Sequence, residues 1–500
     1  MKMNLLDRAI SYVSPARGAA RLAHRKRAEM LEAFDGASSS HRNANRRYIA
    51  GDANSALRTA AKRLRYSARH MERNHPLAAR GVSVLAANLV GGGIIPAVAG
   101  VKGSRRDRLQ DVVNAHCDTP AIDLAGRQNL YGLQATAVKA AVRDGESLMV
   151  RRRARSSEGL PLPFQISVLE CDYFDERVHG KLANGNVGIE GVEVNAAGAV
   201  VAYHLYDRHP GDLRVFSTNT STRYLAGDVV HLYRIDRPGQ AHGVSWLAPV
   251  IVRLGDFEDT KDAYILRQKI AACFAAFVTR GAGAGEPEDV GNTRAGNRIE
   301  TVEPGMIEYL DAGDTVTFGT PPVVQDLEAF FRVNGRDIAV GLGITYEALT
   351  GDLSGVNFSS GRMGWLEMYR NLTSWTEQML MPQMCGKIGQ WILDGLRLVV
   401  SVPAATRIDH VPPRREMIDP DKELKAAATA ARNGLGTRSR FLRSQGYDPE
   451  AVDAERKEEL ERETKLGLAY DTNVLPKAQP TSEPGAPPAG DKPEEVEADA

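Results

Sequence analysis

The sequence is poor in the features that mark several large protein classes. It has four cysteines in 500 residues, and no two of them form a CxxC pair. This sparse spacing argues against a disulfide framework or a zinc knuckle and favours buried free thiols. A nucleotide-binding GxxxxGKS or GxxxxGKT loop is also absent, because Gly386-Lys387 is followed by Ile388 in a helical pattern. A P-loop motor is therefore excluded.

Long apolar runs are also absent. The first residues lack the apolar core of a secretory signal. The best membrane candidate, residues 82–101, contains Asn88, three consecutive glycines and Pro96. These residues predict a buried helix that ends in a glycine turn rather than a membrane span, so no membrane partner is expected.

The net charge is zero, but the charges are segregated along the chain. Residues 1–108 contain 21 Lys and Arg against 7 Asp and Glu, whereas residues 448–500 contain 15 Asp and Glu against 6 Lys and Arg. The basic amino-terminal arm could bind nucleic acid or an acidic protein surface, and a solvated basic helix without a partner explains it equally well. The composition, 43% hydrophobic and 25% charged, indicates a folded protein of several domains.

Candidate catalytic residues are few. Glu170, Asp172, Asp175 and Glu176 follow a predicted strand. The cluster fits a Mg²⁺ site or a pair of glycosidase carboxylates, and an exposed acidic turn is the favoured interpretation. An enzyme that uses Asp172 is therefore a minor hypothesis. We predict no catalytic residue, metal ligand or cofactor, and the chain is not expected to be an enzyme.

The apolar periodicity predicts an α+β chain. Helices are predicted at 56–89, with a new start at Pro76, and at 106–117 and 131–143. Strands are predicted at 147–153, 164–170, 188–194, 199–206 and 228–234. Residues 60–248 are thus expected to form one domain in which helices cover a mostly antiparallel sheet, with a hairpin at Asn195 to Gly198.

Two apolar-striped helices joined by a loop dominate the second half. The first is predicted from Asp326 to Leu342 and the second over 362–394, each with apolar residues every three to four positions. The loop between them, 350–361, is rich in glycine and serine. Pro382 is expected to kink or end the second helix. Another helix is predicted over 249–279.

Several short motifs resemble, in the same order, those of the lambda-type portal proteins of tailed bacteriophages. They include Asn88-Leu-Val-Gly-Gly-Gly-Ile94, Asp144-Gly-Glu146, Arg237-Pro-Gly-Gln240, Gly343-Ile-Thr-Tyr-Glu-Ala-Leu-Thr-Gly351, Asn357-Phe-Ser-Ser360 and Asp419-Pro-Asp-Lys-Glu423. The resemblance extends over roughly residues 4–470. One departure is that the family commonly has proline where this chain has Thr345 or Tyr346.

The resemblance implies a portal fold that assembles as a twelve-subunit ring at one vertex of the capsid. The implied parts are a basic arm (1–59), a wing (60–248), a stem helix (249–279), a β-rich clip (280–323), a second stem helix (324–343), a tunnel loop (344–361), a long helix with the wing return (362–410), a helical crown (411–470) and a disordered tail (471–500).

The implied function is a conduit through which double-stranded phage DNA is packaged and ejected. The ring would nucleate capsid assembly, dock the terminase packaging ATPase, and contact the major capsid, scaffold, head-completion and tail connector proteins. It would reside in the virion, and in the host cytoplasm during assembly. The alternative is a monomeric or dimeric nucleic-acid-binding protein that uses the basic arm.

DNA that slides through a ring must be held loosely, because each phosphate paired with Lys or Arg adds affinity. Carboxylates that face the channel would repel the phosphates, and short polar side chains at the loop would contact the DNA backbone weakly. The residues expected in these roles are Asp256, Glu258, Asp259 and Asp262 in the stem and Ser354, Asn357, Ser359 and Ser360 in the tunnel loop.

Overall fold

The computed structural model describes most of the chain. The described residues are 51–58, 60–212, 220–272, 276–279, 307–310, 327–413, 417, 419–468 and 470. The chain divides into a small unit, residues up to 64 with Ile235–His242, and a large unit formed by the rest. The tail predicted from residue 471 and most of the predicted arm and clip lie outside the described residues.

In the small unit, the side chain of Asn54 holds the segment 235–242. Its Nδ2 donates to the Gly239 carbonyl oxygen at 3.0 Å, and its Oδ1 accepts from the Ala241 N–H at 2.8 Å. Asp52 receives the Ser55 N–H at 3.2 Å, at the start of the helix that carries Asn54. The amide side chain of Asn54 therefore satisfies a backbone carbonyl group and a backbone N–H that a neighbouring strand would otherwise bind.

Thirteen α-helices occur in the described part of the chain. They are α1 (Ala53–Arg58), α2 (Ala61–Asn74), α3 (Pro76–Val90), α4 (Ser104–Cys117), α5 (Leu130–Asp144), α6 (Ile251–Ala272), α7 (Leu327–Leu342), α8 (Tyr346–Thr350), α9 (Phe358–Trp375), α10 (Gly386–Val399), α11 (Pro420–Arg432), α12 (Arg438–Ser444) and α13 (Pro449–Leu466). A π-helical segment, Thr376–Cys385, joins α9 to α10. No helix among them is both long enough and apolar enough to span a bilayer.

The strands form three antiparallel sheets and one parallel pair. They are β1 (Ile95–Ala99), β2 (Glu146–Arg153), β3 (Phe164–Glu170), β4 (Gly180–Lys181), β5 (Val187–Ile189), β6 (Val192–Val194), β7 (Val200–Tyr206), β8 (Ser221–Leu225), β9 (Val229–Tyr233), β10 (Ala276–Thr279), β11 (Ile307–Leu310) and β12 (Arg407–Val411). The sheet orders are β1-β12, β3-β2-β9 and β4-β5-β6-β7-β8, and β10 pairs in parallel with β11.

Local sequence signals set the ends of the helices that pack on the sheets. Pro76 is the first residue of α3, and Gly91 ends that helix with a φ of +57°. Asn129 caps α5 by accepting the Gly132 N–H at 3.0 Å. Gly145 ends α5 in the left-handed region, with a φ of +100°. The chain turns directly from this glycine into β2.

Two apolar clusters hold the large unit together. The larger one joins α3, α5, α7, α9 and α10 to the sheet β3-β2-β9, and both Trp246 and Trp391 are fully buried in it. The smaller one lies between β2, β7 and β9, where Phe174, Tyr203 and Leu205 are buried. Because β2 contributes to both clusters, it links the helical layer to the five-stranded sheet.

Most of the helices and strands predicted over residues 56–279 are confirmed, and two differ in extent. The strand predicted over 188–194 is two strands, because Glu190 and Gly191 adopt positive φ angles of 48° and 96° and reverse the chain. The helix predicted over 249–279 ends at Ala272. Residues 276–279 are instead a strand paired with 307–310, in keeping with the strand preference of Phe277, Val278 and Thr279.

Gly145 offers a test of how tightly α5 and β2 are joined. A Cβ there would lie 2.5 Å from the Ser245 nitrogen, whereas nothing lies within 4 Å of a Cβ at Gly159, whose φ is also positive. We expect Gly145→Ala to lower the free energy of unfolding by about 3 kcal/mol or more, and Gly159→Ala by about 1 kcal/mol. Urea denaturation measures both. If the two variants lost equal free energy of unfolding, the close approach of Gly145 to Ser245 would be contradicted.

Candidate functional site

The long helix that follows the loop has three segments, α9, the π-helical segment and α10. Pro382 lies inside the π-helical segment, and the helix continues to Val399 instead of ending at the proline. A proline lacks the N–H for a regular helical bond and crowds the preceding turn, and a widened turn accommodates both defects. The predicted helix over 362–394 is thus interrupted but not terminated.

Polar side chains fix α10 to the edge of β9. The Lys387 ammonium donates to the carbonyl oxygens of Ala226 at 2.9 Å and Val229 at 2.6 Å. The indole N–H of Trp391 donates to the Gly227 carbonyl oxygen at 2.7 Å. Burial lowers the pKa of Lys387. These bonds satisfy carbonyl groups in and beside the sheet edge, and they anchor the base of the long helix.

The loop before the long helix is shorter than predicted. Gly351 ends α8 with a φ of +76°, and α9 already begins at Phe358. Asn357 and Ser360 form a capping box, in which the Asn357 Oδ1 accepts the Ser360 N–H at 2.8 Å and the Ser360 Oγ accepts the Asn357 N–H at 3.1 Å. The open loop is therefore residues 351–357 and not 350–361.

The four polar residues predicted for the loop are all exposed, but they differ in what they offer a ligand. The Ser354 hydroxyl donates to Asp352 Oδ1 at 2.6 Å. Ser360 and the Asn357 carbonyl oxygen are paired in the cap. The Asn357 Nδ2 and the Ser359 hydroxyl make no hydrogen bond to the described residues. Of the four predicted residues, these two keep a side-chain donor that is not used within the described structure.

Apolar side chains around the loop are exposed as well. Leu353 is 64% exposed, Phe358 59% and Met363 68%. Leu366, which the periodicity placed on the apolar stripe, is also 42% exposed. The sequence interpretation centred on serine and asparagine and missed this surface. The sequence does contain an indication of this apolar surface, because Leu353 and Phe358 lie on either side of Ser354 and Asn357.

Helices α6 and α7 pack against each other near one end. The rings of Phe257 and Phe331 are 5.2 Å apart, and the Lys261 ammonium lies 4.4 Å from the Phe257 ring centroid. Arg253 and Asp337 form an ion pair at 2.8 Å between two half-exposed side chains. Helices α6 and α7 are thus held together through residues 253–261 of α6.

Three of the four predicted stem carboxylates share an exposed stripe on α6. Asp256, Asp259 and Asp262 are three residues apart and exposed. None of them forms an ion pair with a described residue. Glu258 is half-buried, and its charge acts on the ring of His75, whose pKa is lowered mainly by burial. The predicted group of four therefore separates into a stripe of three and one carboxylate near the core.

Helices α6 and α7 also leave apolar side chains uncovered. In the described residues of α6 beyond Phe257, no side chain is buried. The exposed apolar residues of α6 and α7 are Val252, Ile265, Leu266, Phe330, Val333 and Val340. Val340 is 77% exposed although the preceding Ala339 and the nearby Leu342 are buried. These helices therefore have apolar residues on more than one face.

Within the predicted acidic turn, Asp172 belongs to a buried ion-pair cluster. Asp172 lies 2.5 Å from the Arg69 guanidinium and 3.4 Å from that of Arg65. Arg69 also binds both oxygens of the fully buried Asp144, at 2.9 and 2.8 Å. Burial raises the pKa of Asp172, but the two guanidinium groups outweigh it and hold the pKa below its ordinary value. The exposed-turn interpretation is wrong for Asp172, because helix α2 supplies these partners.

A metal ion would compete with arginine for this cluster. Glu170, Asp172 and His209 each place a ligand atom within 4.8 Å of the others. The Nη2 atom of Arg69 is 3.2 Å from Glu170 and 2.5 Å from Asp172. A guanidinium group therefore holds the position where the carboxylates converge, and it neutralises their charge.

The other two carboxylates of the predicted turn do not join this cluster. Asp175 is buried and binds Arg177 through both oxygens, at 2.8 and 3.0 Å. Although burial opposes ionisation, hydrogen bonds from Arg177 and other donors lower the pKa of Asp175 to about 2. Glu176 is exposed. The four acids thus occupy separate environments instead of one carboxylate site.

The described cysteines are buried free thiols, as predicted. Cys117, Cys171 and Cys385 are each at most 2% exposed. Burial raises the pKa of Cys385 to about 12, which keeps its thiol protonated and unreactive. His116, which precedes Cys117 in the sequence, is fully buried, and burial lowers its pKa to about 4. These groups serve packing.

Arg69 provides a direct test of the ion-pair cluster. Arg69→Met removes a partner of two buried carboxylates, so we expect the free energy of unfolding to fall by about 3 kcal/mol. Arg370→Met is the control, because its partner Glu367 is mostly exposed and the loss is expected to stay within about 1 kcal/mol. Urea denaturation compares them. Similar small effects would show that the cluster is not stabilising.

Comparison with known proteins identifies a family. The sequence model described as "Phage portal protein, lambda family" matches residues 39–376. A probable portal protein of Halomonas phage phiHAP-1 is 26% identical over 440 residues, which are 84% of each chain. The portal protein of Escherichia phage N15 is 22% identical over 309 residues, covering 54% of this chain and 58% of that protein.

Among solved structures, a chain in the neck of a native GTA particle aligns with 81% of this chain and 96% of its own length. Its TM-score is 0.40 and its sequence identity is 15%. Since the family model spans more than half of the sequence, the chain belongs to the lambda family of phage portal proteins.

Proposed function

We propose that copies of this chain form a twelve-subunit ring at one capsid vertex, through which double-stranded DNA is packaged and ejected. Membership of the portal family and the names of both phage relatives support this function. The ring would nucleate the capsid with the major capsid and scaffold proteins, dock the terminase ATPase, and hold the head-completion and tail connector proteins. It is assembled in the host cytoplasm and retained in the virion.

The observation that carries this proposal is the uncovered apolar surface of the stem. Single exposed apolar residues are common on proteins, but α6 and α7 expose six large ones. A ring forms when one patch of a subunit binds a different patch of the next and the rotation closes. Neighbouring copies would then cover Val340, Ile265 and the other exposed apolar residues of α6 and α7.

The carboxylate stripe on α6 fits the channel side of such a stem. Asp256, Asp259 and Asp262 have no cationic partner among the described residues, so their charge is available to repel phosphate. At physiological salt this repulsion decays over about 8 Å, and only carboxylates close to the DNA would act on it. The stripe would keep the DNA away from the wall and allow it to slide.

The loop 351–357 would be the point of closest approach to DNA. The Asn357 Nδ2 and Ser359 Oγ groups would donate single hydrogen bonds to phosphate oxygens, whereas Ser354 and Ser360 retain acceptor positions. Neutral donors of this kind bind more weakly than Lys or Arg. The contacts made by α10 with the sheet keep the base of the long helix in place while the loop meets the DNA.

The alternative, a nucleic-acid-binding protein that uses residues 1–59, depends on residues that are mostly outside the described part of the chain. It remains a prediction. An enzyme that uses Asp172 has less support, since Arg65 and Arg69 bind that carboxylate.

Neutralising the stripe tests the channel function. We expect Asp256→Asn, Asp259→Asn and Asp262→Asn, combined, to tighten binding of double-stranded DNA to the assembled ring about tenfold at low salt, equal to about 1.4 kcal/mol. The same variant should package DNA more slowly. Filter binding across a salt series and an in vitro packaging assay measure the two effects.

The control variant removes equal charge from the crown, by Asp421→Asn, Asp453→Asn and Glu461→Gln. These side chains are each at least 60% exposed. The control should leave both DNA affinity and packaging rate unchanged. If the two triple variants behave alike, the stem stripe does not face the DNA.

A further inference from the structure

A groove with aromatic walls lies between α9 and the crown helices α11 and α12. Its volume is about 1050 Å³. Trp365 and Tyr369, one turn apart on α9 with ring centroids separated by 5.7 Å, form one wall. Phe441 and Tyr447 contribute two more rings, and Leu424 lies at the edge. Aromatic rings spaced in this way leave slots for flat, rigid apolar groups.

The groove also contains a polar atom that lacks a partner. Gln445 lines it, and the buried Oε1 of this side chain accepts no hydrogen bond from the described residues. A buried acceptor without a donor costs about 1–3 kcal/mol. An occupant that brings apolar rings together with a free backbone N–H would remove this cost. Polyproline II segments have both properties, because their backbone makes no internal hydrogen bonds.

We propose that the chain's own proline-rich segment, residues 476–488, occupies this groove in a polyproline II conformation. The segment reads Pro476-Lys-Ala-Gln-Pro-Thr-Ser-Glu-Pro-Gly-Ala-Pro-Pro488. Residues 471–500 hold six of the chain's 25 prolines. Segments rich in proline bind aromatic-lined grooves at a low entropic cost, since the bound conformation is already preferred in the free chain.

The segment can reach the groove from where α13 ends. Gln445 and Tyr447 lie just before the first residue of α13, an 18-residue helix that is about 27 Å long. The chain must therefore return along roughly this length. Residues 471–484 span about 43 Å when extended at about 3.1 Å per residue. Leu466, Leu468 and Tyr470, at the start of this path, are exposed.

Attachment to the same chain makes a modest affinity sufficient. A short flexible connection gives an effective concentration of about 1 mM. A peptide affinity of about 0.1 mM would then keep the groove about nine-tenths occupied. Loss of the proline rings of residues 476–488 would release the segment from the groove without any change in the core of the protein.

A photo-cross-linking experiment on the full chain tests this assignment. Benzoylphenylalanine replaces Leu424, which lines the groove and is 48% exposed, and in a control replaces Leu398, which is 77% exposed on α10. Irradiation at position 424 should join α11 to the tryptic peptide that begins at Ala478, at several times the yield of the control. Replacing the five prolines of 476–488 by alanine should reduce that yield severalfold.

Two results would overturn the proposal. One is a principal cross-link from position 424 to any other segment, of the same or a neighbouring copy. The other is a yield that the five alanine substitutions leave unchanged. Since these substitutions lie outside every described helix and strand, an unaltered circular dichroism spectrum will show that the folded part is intact.

Discussion

Burial of apolar side chains is extensive on helices α3, α5 and α10 and incomplete on α6, α7 and α9. Val340 is mostly exposed on α7, next to the buried Ala339, and Leu366 is exposed on α9 near the buried Met368. A helix that is apolar on several sides needs a partner on each of them. The single chain supplies one partner, and in the proposed ring neighbouring copies would cover the remaining faces. The proposed ring, its channel and the proposed position of the loop all depend on this requirement.

The rest of the large unit forms a rigid frame for these helices. Several buried charged groups are paired within it, as Arg69 and Asp144 show, and Lys387 donates to carbonyl groups at the edge of β9. Removing either partner of such a pair would leave an uncompensated buried group. Any arrangement of the chain that separates the pair is therefore disfavoured. In the proposed ring, this frame would hold the α6 carboxylates and the loop 351–357 at the same positions in every subunit.

The sequence predicted structure best where the signal is local. Pro76 begins α3 at the predicted position, and Asp419 and Asp448 likewise cap α11 and α13 directly before a proline, since the first helical turn accepts a proline. The predicted loop 350–361 is too long, because Asn357 and Ser360 form a capping box that starts α9 at Phe358. Features that depend on distant residues were missed: the pairing of β1 with β12, and the arginines of α2 that bind Asp172. Neither leaves a local pattern.

The most direct test of the account is the size and symmetry of the purified full-length protein. Mass photometry with electron microscopy of end views should show closed rings with a central opening. Twelve copies of 54.3 kDa give particles of about 650 kDa. A stable single-copy species of 54.3 kDa under assembly conditions would contradict the account. In that case the apolar residues of α6 and α7 would not need neighbours.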